Sequence, residues 1–391
     1  MALRSRGRRA AAACFAFAAA AMGGGAGALL GACGPFTDVT DAVFCPFVLE
    51  IFYLGITTGT TATTYDPAGN VSRLQMAAFL SRTVDGVLKR GSRRAALDQF
   101  WTTQNASVLG TVSLGGSPNT LQSDGADIWV SNSGSVSRVR ASDGKILDTW
   151  TGATNAFCVL TAMGRVVVTG NTNLGLLYVL DPTQPAGAVS VAGSGLTPFT
   201  SGIAFDGARV WTANQGGGGF GGAVLIFTPG PMLPWTVTTV TTGFSKPFGA
   251  LYDGANVWVT DSTANRLFEL DAGGAILQTV TVGLTPQLPV FDGANIWVPN
   301  GNSASVTVVR ASNGVVLATL TGNGLSVPGQ AAFDGQRVLV ANEAGGVSLW
   351  KAADLSPLGG FSTGAASPVG ACSDGVSFWI TLPSAGQIAR F

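Results

Sequence analysis

The sequence predicts an all-β chain: a closed seven-bladed β-propeller preceded by a small helical unit. Three observations predict it. One phrase recurs from Ser123 onward, its period is that of a four-stranded sheet, and the two ends of the repeat complement each other. The phrase is an apolar strand ending in Asp-Gly, then a second strand that usually holds a Trp. It reads SDGADIWVSN at 123–132, FDGARVWTAN at 205–214, YDGANVWVTD at 252–261, FDGANIWVPN at 291–300, FDGQRVLVAN at 333–342 and SDGVSFWITL at 373–382. A degenerate copy, MGRVVVTGN at 163–171, fills the gap.

The turn glycines fall at 125, 164, 207, 254, 293, 335 and 375, so the intervals are 39, 43, 47, 39, 42 and 40 residues. Each unit carries about four strand-like runs, the content of one propeller blade. In the fifth unit these are QLPVF, NIWVP, SVTVVRA and VVLATL. The last unit stops at QIARF, after its third strand. The missing fourth strand stands upstream, in ASVLGTVSL at 106–114, which matches VVLATLTG at 315–322 in pattern. Pairing the N-terminal strand with the C-terminal blade closes the ring and removes an open sheet edge.

The recurring residues have structural roles. Asp-Gly is a two-residue hairpin turn, since both residues tolerate positive φ. The Trp packs between neighbouring sheets. Asn132, Asn214, Asp261, Asn300 and Asn342 end the second strand and can bond their own backbone in the next turn. The strands, the xDG turns and the period resemble the YVTN and NHL-type β-propellers of bacterial surface proteins over 106–391. That resemblance implies the fold and leaves function open.

Upstream, residues 1–32 read as an export signal: basic Arg4, Arg6, Arg8 and Arg9, an apolar core from Ala10 to Met22, then small residues. Ala26-Gly27-Ala28 suits a signal peptidase; Leu30-Gly31-Ala32-Cys33 resembles a lipobox that would lipidate Cys33. No membrane span is expected once the signal is removed. Export admits disulfides, and Cys33 and Cys45 are spaced to bridge. Cys158 and Cys372 fall in innermost strands as small buried hydrophobes.

Residues 33–85 form a helical unit. Pro46 through Leu54 has helical periodicity, GITTGT breaks it, and Ser72 with Gln75 is a capping box opening a second helix, VSRLQMAAFLSRTV. The two helices are expected to bury Phe47, Ile51, Leu54, Met76 and Phe79. FTDV at 36–39, LGITTG at 54–59, YDP at 65–67 and VSRLQMAAFL at 71–80 resemble an S-layer homology (SLH) motif. In that family a Thr-Arg-Ala-Glu signature at the start of the second helix contacts cell-wall polysaccharide. Ser72 and Arg73 keep the hydroxyl and the cation; Leu74 and Gln75 depart. The family usually carries three copies, and this chain has one. Residues 86–105 form a basic linker with Lys89, Arg90, Arg93 and Arg94.

Composition narrows function. Lys plus Arg equals Asp plus Glu at 21 each, with no clustered basic face for nucleic acid. The chain has no His, which removes the commonest general base and every Ser-His or Cys-His nucleophile system. No Cys spacing resembles a zinc site, and no cofactor is expected. Binding is the remaining reading. In a propeller, the loops between blades and the loops between second and third strands share one face. There Pro118, Pro247, Pro286, Pro328 and Pro368 each lie six residues before the turn Asp. Asn119, Phe248, Gln287 and Gln330 follow them, with Phe199 and Lys246 nearby. Amides and aromatics at such a mouth suit sugars or peptides. The loop NQGGGGFGGAV at 214–224 carries Phe220 at its tip, and TPGPMLPW at 228–235 enlarges the other face. The sequence thus describes an exported, envelope-associated binding or scaffold protein, with cell-wall polysaccharide or an envelope protein as partner. The competing class is a lactonase- or lyase-like propeller enzyme acting on an extracellular small molecule.

Overall fold

The computed structural model describes residues 33, 36–41, 43–53, 56–80, 110–364 and 367–391. The export-signal reading of 1–32, the basic linker 86–105, residues 106–109 and Leu54 lie outside these. The chain divides into two compact units, Met1–Phe100 and Trp101–Phe391.

In the second unit the described residues form seven antiparallel sheets of four strands each, β1 to β28 in chain order. Six blades run consecutively: Pro118–Thr151, Ala156–Gly193, Thr200–Val240, Pro247–Thr281, Val290–Thr321 and Pro328–Phe361. The seventh joins Ala371–Arg390 to β1, Thr111–Ser113. There Thr111 pairs with Ala389, Val112 with Ile388 and Ser113 with Gln387, so the expected closure forms. Innermost strands of neighbouring blades touch all the way round, the seventh meeting the first.

The recurrent phrase acts through its Asp. In the first blade the two central turn residues are Gly125 and Ala126, with Asp124 flanking them. Gly125 alone takes positive φ, +97°, at the first central position, as a II′-like hairpin requires. The expectation that Asp shares the left-handed positions is therefore corrected. Asp124 instead spends its carboxylate on neighbours. Oδ1 accepts from the N–H of Ala126 and Asp127, and Oδ2 from the Trp129 indole at 2.8 Å. Trp211, Trp258, Trp297 and Trp379 donate likewise to Asp206, Asp253, Asp292 and Asp374 at 2.7–2.8 Å. In the sixth blade Leu339 replaces the Trp, and Arg337 Nε takes the Asp334 carboxylate at 2.8 Å.

Thus tethered, each of these indoles is at most 1 % exposed and packs into the following blade. Trp129 lies among Val159, Val166 and Val168 of the second blade, and Trp258 among Ile296 and Val298 of the fifth. Truncating such a residue costs roughly 3–5 kcal/mol, so each tethered indole is a large contributor where it stands.

The strand-ending Asn and Asp also depart from expectation. Asp261 does bond its own turn, accepting from Thr263 and Ala264 N–H. Asn214, in contrast, donates to Thr197 O and Thr200 Oγ1, and Asn300 to Ser305 and Thr307. These side chains are buried, and partners across the sheet lie nearer than their own turn.

The first unit centres on Phe36, fully buried with Cys33, Val39 and Val48. Helix α1, Cys45–Tyr53, packs Leu49 and Phe52 on the same cluster. The expected burial of Phe47 and Met76 is not seen: they are 61 % and 48 % exposed. Helix α1 is apolar around most of its circumference, so periodicity could not choose its inner face. Phe36 and the Cys33–Cys45 disulfide (Cα–Cα 5.4 Å) choose the face of Cys45, Val48, Leu49 and Phe52. That bond also commits the Cys33 sulfur, which lipid attachment would need free. The FTDV and YDP segments are tied directly. Asp38 accepts from Tyr65 N–H at 2.8 Å and Asp66 N–H at 2.7 Å, which lowers its carboxyl pKa. Gly59 adopts φ +76° where a Cβ would sit 2.5 Å from the Phe36 ring, which accounts for the glycine ending LGITTG. Residues 73–80 are helical, opened by the expected capping box: Ser72 N–H donates to Gln75 Oε1 at 2.8 Å and Gln75 N–H to Ser72 Oγ at 3.2 Å.

Candidate functional site

The mouth face is built where first strands begin and second strands end. The first strand opens with a bulge in five blades, shown in the first by the register step from Pro118–Asn132 to Leu121–Val130. The extra residue redirects side chains at the rim. A hydroxyl from the second strand holds it. Ser131 Oγ accepts from Thr120 N–H, Thr169 Oγ1 from Cys158 N–H, Thr260 Oγ1 from Gly249 N–H and Thr381 Oγ1 from Gly370 N–H. Each hydroxyl then donates to a carbonyl in or just before the first strand of the next blade: Phe157, Ser201, Gln287 and Asn119 respectively. These latches make the rim rigid, and sequence reading missed them. A Ser or Thr just before the strand-ending residue was the available signal.

The six mouth residues named from sequence divide by what they touch. Asn119 Nδ2 donates to Ala156 O of the second blade at 2.6 Å, and Gln330 Oε1 accepts from Ala371 N–H of the seventh at 3.2 Å. Both side chains tie blades together. Gln287 Nε2 donates to Thr285 O within its own loop at 3.2 Å. Phe248 sets its ring edge-on to Phe157, centroids 5.9 Å apart, bridging the second and fourth blades past the third. Phe199 and Lys246 come together. They line a cleft of about 510 Å³ with Asn171, Gln215, Gly216, Gly217, Ser245 and Thr263, drawn from the rim of the second, third and fourth blades.

The chain builds this cleft deliberately. Phe199 adopts φ +57°, a strained value for an aromatic residue. It is held there by donating to Thr172 O at 2.8 Å and accepting from Gln215 N–H at 3.1 Å. Gly217, at φ +132°, lies so close that a Cβ would stand 2.9 Å from the Phe199 ring. Gly217 and Phe220 exchange main-chain hydrogen bonds at 2.9 and 3.1 Å, which leaves Phe220 exposed at the tip. Lys246 has its backbone pinned: its N–H donates to Asp261 Oδ2 at 2.9 Å and its carbonyl accepts from Ser262 N–H at 2.9 Å. Its ammonium makes no ion pair or hydrogen bond among the described residues.

Acids are scarce at this face. Of the positions directly after the second strands (133, 171, 215, 262, 301, 343 and 383), Glu343 is the one acid. Among the described residues no group of three or more Cys, Asp or Glu is arranged to hold a metal ion. Cys158 and Cys372 are buried free thiols, and burial pushes the Cys158 thiol up to about 12. In the first unit, Ser72 and Arg73 are exposed at the start of the second helix. A separate pocket of about 480 Å³ there is lined by Asp38, Asp41, Phe44, Phe47, Ile51 and Tyr65, among others.

Comparison with known proteins bears on both units. Residues 35–77 match the S-layer homology domain. The propeller is similar in fold to a streptogramin B lyase, with TM-score 0.57 and 15% identity over 72% of this chain and 96% of that one. It is similar also to the WD40 β-propeller domain of Doa1, with TM-score 0.59 and 12% identity over 72% of this chain and 95% of that one. At such identities the likeness is one of fold. No curated protein matches the chain significantly. Among the described residues no helix is long and apolar enough to cross a membrane.

Proposed function

We propose that this chain is an exported protein of the cell envelope, attached through its SLH unit, whose propeller is a rigid binding platform. The observation that carries the reading is the SLH match over 35–77 in the same chain as a closed propeller. SLH domains bind cell-wall polymers, so wall polysaccharide is the partner of the first unit, with Ser72 and Arg73 as the contacting residues. The propeller mouth then offers its surface to glycan or protein, with Phe199 and Lys246 in the rim cleft and Phe248, Gln287, Asn119 and Gln330 around the opening. A fold whose blades are latched hydroxyl to carbonyl suits a platform, because a ligand then meets a surface already ordered.

The test is cosedimentation with purified cell walls of the source organism. The full chain should sediment, and a chain lacking 33–80 should remain in solution. Arg73→Ala should weaken sedimentation. Equal sedimentation of all three would end the attachment reading.

A second reading is a propeller enzyme, and its support is the fold shared with streptogramin B lyase. Against it stands the absence of His from the chain. Turnover of lactone or cyclic depsipeptide substrates by the full chain, above the buffer rate, would favour it.

A further inference from the structure

The rim cleft has a chemistry narrower than a general platform. Its one charged lining residue is Lys246, exposed and unpaired among the described residues. The nearest acid by connectivity, Asp261, is wholly buried and turned inward. Its two oxygens accept four main-chain N–H groups, from Ser245, Lys246, Thr263 and Ala264, at 2.7–3.2 Å. Lys246 therefore presents an uncompensated positive charge to the cleft. On the same lining, Phe199 offers a half-buried ring fixed by a strained backbone. Asn171, Gln215, Ser245 and Thr263 add neutral amides and hydroxyls.

We propose that this cleft binds an acidic saccharide, with the apolar face of a sugar ring against Phe199 and the ring's carboxylate on Lys246. The inference rests on the reading of the propeller as a binding platform and names the ligand class of its mouth. A sugar needs one flat apolar contact surrounded by amide and hydroxyl groups, and a carboxylate adds the need for one cation. An acidic peptide fits less well. Peptides are usually taken by a free sheet edge or a deep apolar groove, and this cleft is lined mostly by loop residues with one aromatic ring among them.

The experiment is calorimetric titration of the full chain with tetragalacturonate, with maltotetraose and with tetraglutamate. Tetragalacturonate should bind with an affinity that falls as salt is added, and maltotetraose should bind about tenfold more weakly or not at all. Lys246→Ala should lose about tenfold and Lys246→Arg should retain most of the affinity, because a charge at this distance is what is read. Phe199→Asn keeps a residue type that tolerates positive φ, so it should weaken both sugars while leaving the thermal melt in place. Equal binding of the neutral sugar, or binding indifferent to Lys246→Glu, would overturn the proposal. So would capture of tetraglutamate through Lys246 with no saccharide bound. A chain that ignores tetragalacturonate but still cosediments with cell walls would overturn this inference and leave the attachment reading intact.

Discussion

The Thr381 hydroxyl donates to the Asn119 carbonyl at 2.7 Å, across 262 residues of sequence, while accepting from Gly370 N–H at 2.7 Å. One side chain thereby holds the start of the seventh blade's first strand and fastens that blade to the first. The same arrangement recurs at Ser131, Thr169 and Thr260, but only at Thr381 does it span the closure of the ring.

Thr381→Val keeps the shape and removes both bonds. Thr381 is fully buried, so the Gly370 N–H and Asn119 carbonyl are left without it, and the expected loss is roughly 1–3 kcal/mol. Thr381→Ser should restore most of it. Urea unfolding followed by Trp fluorescence measures both. Removing 387–391 deletes the last strand, Gln387–Arg390, and with it the seat of β1, so that chain should lose its cooperative transition rather than shift it.

The Asp–Trp pairs predict a pH dependence. Burial pushes the carboxyls of Asp124 and Asp206 up, but the Trp129 or Trp211 indole and main-chain N–H groups outweigh it, and both end below their ordinary value. A carboxyl depressed in the folded state stabilises the fold above its unfolded pKa, about 3.9, and that contribution is lost as pH falls through the folded value. Melting temperature should therefore fall below about pH 4. Asp124→Asn with Asp206→Asn should lower it at neutral pH and flatten the acid decline.

Cys158 should resist alkylation by iodoacetamide at pH 8 in the folded chain, since its thiol is pushed up to about 12 by burial. Cys372, also raised by burial, should behave alike. Peptide mass spectrometry should find both labelled only after unfolding. Labelling of either in the native chain would show that the innermost strands open.

The Cys33–Cys45 bond closes a short loop around the first unit's core, and a loop of that size contributes roughly 3 kcal/mol. Cys45→Ser should expose 36–80 to limited proteolysis while the propeller melt is unchanged. Intact mass of the chain purified from its source cells should show Cys33 oxidised and carrying no lipid.

Much of this molecule was legible because its signals are local or repeat. The recurrent Asp-Gly marks the hairpin between the first and second strands of a blade, and Ser72 with Gln75 marks a helix start three residues apart. The face of α1 was not legible. Phe47, Val48, Leu49 and Phe52 are all apolar, and hydrophobicity could not rank them. Phe36 ranked them by packing. At the mouth, Asn119 and Gln330 read as residues ringing the opening; that each also bonds the backbone of the next blade, at Ala156 and Ala371, could not be read from any local pattern.

By itself, then, the amino-acid order determined the repeat, its four strands, the seven blades and the strand that completes the last one. Those follow from a period and from ends that match, and neither depends on distance in space. Only the tertiary structure decided that Phe199 and Lys246, far apart along the chain, share one cleft, and that Asp261 faces away from it. Side-chain direction near a bulge and proximity between blades are set by packing across sheets, where no local pattern reaches.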